Sequence, residues 1–202
     1  MFDECPECGA FSTDKSVKAG PILVCPECGN TEPFSQLPLL IVSGAAATGK
    51  STVLHQISGT IQSGVLLDSD VLWREEFKDD TGGYFRTWLR LCRDIAQSGR
   101  PPVLFGTGFG VPENVEQQPQ HQCFSEIHYL ILVCDDDIQR TRLRNRPAWR
   151  RPDQAELADQ IEYNQWLKEN AEHNGMSTVD TSHGDVASTA EHVYKWITSR
   201  LD

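Results

Sequence analysis

The sequence has no apolar run approaching the roughly 18 residues that a membrane-crossing helix requires, and it opens on MFDEC, acidic where an export signal is basic. Both absences read as a cytoplasmic chain with no membrane association. Basic side chains are few as well. Its 202 residues carry 18 Lys and Arg against 29 Asp and Glu, a net charge of −11, which repels nucleic acid phosphates over most of the surface and disfavours general DNA or RNA binding. A disulfide framework is also missing. Seven cysteines are an odd number, and four of them stand in two CxxC pairs, which suits metal ligation in a reducing compartment. Of the rest, Cys92 and Cys134 fall among apolar residues and read as buried thiols, with Cys123 left over. The length allows one substantial core with a small N-terminal appendage, and excludes two full-sized domains.

The appendage carries the first motif. Cys5, Cys8, Cys25 and Cys28 form C-x2-C-x16-C-x2-C, within the spacing of structural zinc sites. In each CPxCG knuckle, Pro6 or Pro26 fixes the turn, and Gly9 or Gly29 admits the positive φ that brings backbone amides toward the thiolates. Four thiolates leave no open position, so the expected Zn²⁺ is structural rather than catalytic. The segment, residues 1–34, resembles a zinc ribbon. Its acids Asp3, Glu4, Glu7, Asp14, Glu27 and Glu32 face only Lys15 and Lys18, so a clip, lid or protein-docking role is favoured over nucleic acid contact. Glu32, Pro33 and Pro38 bracket a short linker with little room for independent motion.

The second motif is GAAATGKS, Gly44 to Ser51, which satisfies G-x-x-x-x-G-K-[ST]. Leu39 to Ser43 reads as a buried strand before it, and Val53, Leu54, Ile57 and Ile61 follow at helical spacing over 51–61. In such a loop the amides of Gly44, Ala45, Ala46, Ala47, Thr48 and Gly49, with those of Lys50, Ser51 and Thr52 at the helix start, cradle the phosphates of ATP. Lys50 reaches the β- and γ-phosphates, and the Ser51 hydroxyl ligates Mg²⁺. Further strands are expected at Val65–Leu67, Val103–Phe105, Ile127–Val133 and Met176–Val179, alternating with helices. The fold class is therefore α/β, a three-layer P-loop NTPase domain over residues 35–202 with a five-stranded parallel sheet, preceded by the four-cysteine ribbon. It resembles the nucleotide-kinase branch of P-loop proteins.

GVLLDSDVLW ends the second strand with Asp68 and Asp70 two residues apart. Either both face the site, or Asp68 or Ser69 caps the next helix. The pair is similar to one in shikimate kinase, gluconate kinase and chloramphenicol phosphotransferase. That resemblance implies that Asp70 contacts the hydroxyl being phosphorylated, as candidate base, and that Asp68 approaches Mg²⁺ through water. A base points to an alcohol acceptor, because a phosphate acceptor is already ionised. The third strand, PPVLFGTGFGV, ends on no acid, and its Gly106, Gly108 and Gly110 permit close approach of backbone to substrate. Gly108 is the substrate candidate among them.

CDDDIQRTRLRNRPAWRRP concentrates Arg140, Arg142, Arg144, Arg146, Arg150 and Arg151 in one short segment, the expected lid at about 140–155. At about 100° per residue, Arg142 and Arg146 share one helical face and Arg140 and Arg144 the opposite one. The R-x-x-x-R order resembles the start of the adenylate kinase lid, which implies that Arg142 and Arg146 contact adenine and phosphates. Arg150 and Arg151, past the helix-breaking Pro147, are placed to swing over the γ-phosphate. The end of the last strand, STVDTSHGDV, is similar to the adenine-touching loop of these kinases, which marks Asp180 and Thr181; Ser182 or Asp185 as a helix cap is the plain alternative.

For the acceptor, Trp73, Tyr84, Phe85 and Trp88 offer rings for a planar body such as a nucleoside, and Arg74 and Arg86 offer charge for an anionic group. Core packing explains those rings equally well. The polar insertion 112–122 is placed at the same cleft, and His55, His121 and His128 are assigned no chemistry. The reading is a kinase moving the γ-phosphoryl of ATP to a hydroxyl of a small molecule, nucleoside-like compounds included, with Mg²⁺ and a structural Zn²⁺. Lys50, Asp70, Asp68 and Arg146 are its catalytic candidates. The alternatives are a polynucleotide 5′-hydroxyl kinase and a slow ATPase switch whose ribbon binds a partner protein.

Overall fold

The computed structural model describes residues 2–13 and 15–201, so the acid counted at Asp14 lies outside the described residues. The chain builds two sheets. In the smaller, β1 (Ser16–Lys18), β2 (Ile22–Val24) and β3 (Thr31–Pro33) pair antiparallel, with β2 in the middle. Strands of three residues bury little: Leu23 is its main core side chain, beside Cys5 and Cys25.

The larger sheet is parallel, in the order β5 (Val65–Asp68), β6 (Pro102–Phe105), β4 (Leu39–Ser43), β7 (Ile127–Val133), β8 (Ser177–Asp180). Every residue of β4 is buried, as a near-continuous apolar run in a doubly covered sheet must be. The two-residue period sorts its side chains. Leu40 and Val42 meet α1 (Lys50–Ile57) and α6 (Val186–Thr198) on one face. Leu39 and Ile41 meet α2 (Thr81–Ala96) and α5 (Gln154–Asn170) on the other, around Trp88 and Leu167. Three layers result, with α3 (Pro112–Glu116) and α4 (Asp136–Arg144) at the margins. The chain winds from β4 outward through β5 and β6 and then crosses to β7 and β8. The carboxyl end of β4 is thus the topological switch point, where α/β sheets open a crevice.

Two expected elements are corrected. α1 stops at Ile57 rather than continuing to Ile61, because Gly59 takes a positive φ of 79°; Ile61 reaches the same cluster from the following turn. The polar insertion 112–122 does not line the cleft. It folds as α3 and a short turn against α2, and Gln120 Nε2 donates to Thr13 O at 3.2 Å in the small sheet's segment.

The small sheet is anchored on α2 through charge. Arg93 is only 2% exposed and pairs with Asp3 at 2.9 Å and Asp94 at 2.8 Å, with the Phe2 ring 4.0 Å from its guanidinium carbon. Arg90 adds a second bond to Asp3 at 2.7 Å. Ser35 and Gln97 bond reciprocally at 2.9 and 3.0 Å, completing the seam.

Candidate active site

The loop after β4 has a shape that its sequence enforces. A side chain at Gly44 would fall 2.3 Å from Leu132 O, so only glycine fits there. Gly49 precedes α1 with φ 103° and offers no side-chain cap, leaving the first helical amides directed at the crevice as anion donors. Ala47 sits in the left-handed region at φ 69°, alone among the described non-glycine residues. Its methyl, with that of Ala46, packs on Leu143, Leu157 and Ile161. Two glutamines fix the outer wall: Gln160 Oε1 accepts from Ala46 N at 2.7 Å, and Gln139 Nε2 donates to Ala46 O at 3.0 Å.

Lys50 curls back over this loop, its ammonium donating to Gly44 O at 2.7 Å and Ala45 O at 2.9 Å. Burial pushes it down to about 8 against the attraction of Asp70. Among the described residues no carboxylate pairs with this cation, which bonds two carbonyls at the floor of a cavity of about 450 Å³.

The cavity gathers most of the expected residues. Ala46, Ala47, Thr48, Gly49, Lys50, Ser51 and Thr52 form its floor, Asp70 one wall, and Arg142 and Arg146 the roof. Gly44 and Ala45 support the floor from beneath. Arg140 and Arg144 stay outside the cavity, following the helical spacing. Arg142 donates to Thr181 Oγ1 at 3.0 Å and Thr181 O at 2.7 Å, and Thr181 Oγ1 donates to Thr48 O at 3.0 Å. The loop, α4 and the end of β8 are thereby tied together. Burial and the neighbouring Arg150 lower the Arg146 guanidinium.

Other candidates do not line the cavity. Asp68 accepts from Asp70 N at 3.0 Å, so the capping alternative describes its contact. Asp180 likewise accepts from Ser182 N at 2.7 Å and does not line the cavity. Gly108 turns at φ 87° against Phe85, where a side chain would come within 3.2 Å of the ring, so protein packing explains this glycine. Tyr84, Phe85 and Trp88 are core residues, and Tyr84 donates its hydroxyl to Ser69 O at 2.8 Å. Trp73 is 44% exposed. Arg74 and Arg86 are exposed and do not line the cavity.

The sequence reading missed several participants. Thr107 and Val186 line the cavity; the first sits within the glycine run and the second begins α6, so position relative to a motif was their only signal. Arg150 is expected in the lid, but its bond to Asp70 Oδ2 at 2.8 Å, joining residues 80 positions apart, is not.

The four knuckle sulfurs lie within 4.8 Å of one another, with Cys5 to Cys28 at 3.7 Å and Cys8 to Cys25 at 3.8 Å. A tetrahedron with metal–sulfur bonds of about 2.3 Å has edges of about 3.8 Å, so the set fits a closed metal centre; a disulfide needs about 2.05 Å. Gly9 and Gly29 take φ of 70° and 72°, and the Cys8 amide draws the Cys5 thiol down to about 6.

No family model matches the chain, and no curated protein is similar to it in sequence. Solved structures are similar to it in fold. A sugar kinase from Janibacter sp. superposes with a TM-score of 0.60 at 13% identity over 81% of this chain and 95% of its own. Shikimate kinase from Acinetobacter baumannii, solved with shikimate, gives 0.54 at 18% over 82% and 96%. The tunicamycin resistance protein of Deinococcus radiodurans gives 0.56 at 11% over 80% and 95%. The chain shares the α/β fold of these proteins. At these identities the likeness concerns architecture, and the chemistry must come from the cavity's own residues.

Proposed function

We propose that the protein is a cytoplasmic phosphotransferase that moves the γ-phosphoryl group of ATP to a hydroxyl of a small molecule, nucleoside-like alcohols among them. The observation that carries this reading is a single cavity with Lys50 at its floor, Asp70 on its wall and Arg146 and Arg150 above. Lys50 and the loop amides hold the β- and γ-phosphates, and Arg142 with Thr181 and Val186 bounds the base end. Ser51, with Asp68 behind it, would hold Mg²⁺, which would supply charge neutralisation at the phosphates. The acceptor oxygen attacks the γ-phosphorus, the bond to the β–γ bridging oxygen breaks, and ADP leaves. The acceptor proton passes to Asp70, which must first exchange Arg150 for the hydroxyl. Arg146 and Arg150 then spread the charge of the moving phosphoryl. A structural Zn²⁺ in the ribbon completes the assignment.

The test follows radiolabel from the γ-phosphate of ATP into pools of nucleosides, sugars and hydroxylated antibiotics, with oligonucleotides kept apart. Label in a small-molecule pool, falling at least about a hundredfold in Asp70→Asn, is the expected result. Label solely in oligonucleotides, or released solely as phosphate, would overturn it in favour of a polynucleotide kinase or an ATPase switch.

A further inference from the structure

Large apolar side chains exposed to solvent are few among the described residues: Phe11, Val71, Trp73, Trp149, Val186 and Tyr194. Four of the six either line the candidate cavity or stand within three residues in sequence of Asp70 or Arg150, which line it. Val186 lines its base end. Val71 follows Asp70 directly, Trp73 N donates to Asp70 O at 3.1 Å, and Trp149 precedes Arg150, the residue bonded to Asp70. Three of the exposed apolar side chains are thus borne by backbone next to the Asp70–Arg150 pair.

The two indoles differ in their support. Trp73 packs edge-on to Tyr84 at 5.1 Å between ring centroids; Tyr84 meets Phe85 at 5.7 Å, and Phe85 meets Phe109 at 4.9 Å. This chain of rings runs into the buried core, so Trp73 is a rigid platform. Trp149 is 82% exposed, on the segment between α4 and α5, and has only the Arg150 guanidinium carbon 5.9 Å from its ring. An indole left in water beside a lid arginine is covered when something flat enters between lid and platform.

Resting on the kinase reading above, we infer that Trp73 and Trp149 clasp the acceptor, and that the acceptor is an alcohol whose hydroxyl is borne by a flat, apolar or aromatic body rather than by a bare polyol. Besides Asp70 the cavity lining offers Thr107, Arg146 and Arg150 for hydrogen bonds, while Val71 and two indoles, flanking Asp70 and Arg150 in sequence, add apolar area that a bare polyol would leave unused. The body is gripped beside the Asp70–Arg150 pair, its hydroxyl takes Arg150's place on Asp70, and phosphoryl transfer follows with the proton going to Asp70.

The test uses matched acceptors: nucleosides against free ribose, and aryl glycosides against the corresponding methyl glycosides. Affinity is read from tryptophan fluorescence of the full chain with Mg²⁺ and a non-hydrolysable ATP analogue, and label transfer is read separately. At least one aryl member should bind about tenfold or more tighter than its partner. Trp149→Ala should erase that preference and Trp149→Phe should keep most of it, with affinity for the ATP analogue unchanged in both. Because Trp149 packs on no ring, its truncation leaves the fold intact. Equal affinities within every pair, no binding by any member, or a preference that survives both Trp73→Ala and Trp149→Ala would overturn the clasp. So would a change of mass in solution on Trp149→Ala without a change in acceptor affinity, which would assign the indole to a second copy. The two readings fail apart: aryl binding without transfer sinks the kinase and keeps the clasp, and polyol phosphorylation indifferent to both indoles does the reverse.

Discussion

The two sheets of this chain are held by opposite means. The five-stranded sheet rests on area: β4 is buried throughout, and helices cover both faces. The three-stranded sheet has almost no area to bury and rests on points, four sulfurs at one end and the Asp3, Arg93 and Phe2 cluster at the other. An area-held unit loses stability gradually as side chains are trimmed, whereas a point-held unit fails when one point goes.

Metal removal should show this most strongly. Structural zinc supplies on the order of 10–16 kcal/mol in small metal-folded modules. A strong chelator is therefore expected to abolish hydrogen-exchange protection at Leu23 while protection at Ile41 persists; a ribbon still protected without metal would contradict the comparison. The second point is Asp3. Asp3→Ala strands the buried Arg93 charge beside Asp94 alone, an expected loss of about 3–5 kcal/mol by chemical denaturation. Breaking the exposed Lys78–Glu75 pair, 2.7 Å apart, should leave the denaturation midpoint unchanged.

In the larger unit the expected effects are functional before they are structural. Burial holds Lys50 at about 8, and polyphosphate favours its charged form, so nucleotide binding raises that value again. Binding above about pH 8 must then take up a proton, and affinity should fall with rising pH by up to about tenfold per unit. Calorimetry in buffers of different ionisation heat should find this uptake in the parent chain and not in Lys50→Met; equal proton uptake in both would remove Lys50 from the phosphate site. Smallest of all is Ala47→Gly. It relieves a left-handed alanine of about 1 kcal/mol of strain and gives up a methyl contact with Leu143 and its neighbours. A gain below about 1 kcal/mol is expected, and a clear loss would mean that packing outweighs strain there.

What the sequence disclosed was local. The knuckles and the strand, loop and helix around Lys50 are contiguous patterns whose chemistry is set within about ten residues, and the strand boundaries moved by one position at β5, β6 and β8. What it hid was either distant or degenerate. Asp70 with Arg150, Asp3 with Arg93, and Gln160 with the Ala46 amide join residues from different layers, and no spacing rule connects them. Tyr84, Phe85 and Trp88 have a helical spacing that suits a core and a binding face equally, and only the register of α2 on the sheet decides between them. Ala47 hid for another reason: nothing in alanine's chemistry advertises a positive φ.

The bond between Arg150 and Asp70 has one more consequence. In the proposed reaction the same carboxylate that would activate an alcohol would equally activate water, and every water so used would waste an ATP. With Asp70 held at 2.8 Å by a lid arginine, the chain at rest has its proton acceptor occupied, and only an entrant able to displace the guanidinium restores it. In that reaction the ion pair would act as a safeguard against futile turnover, making fuel consumption conditional on the arrival of a payload.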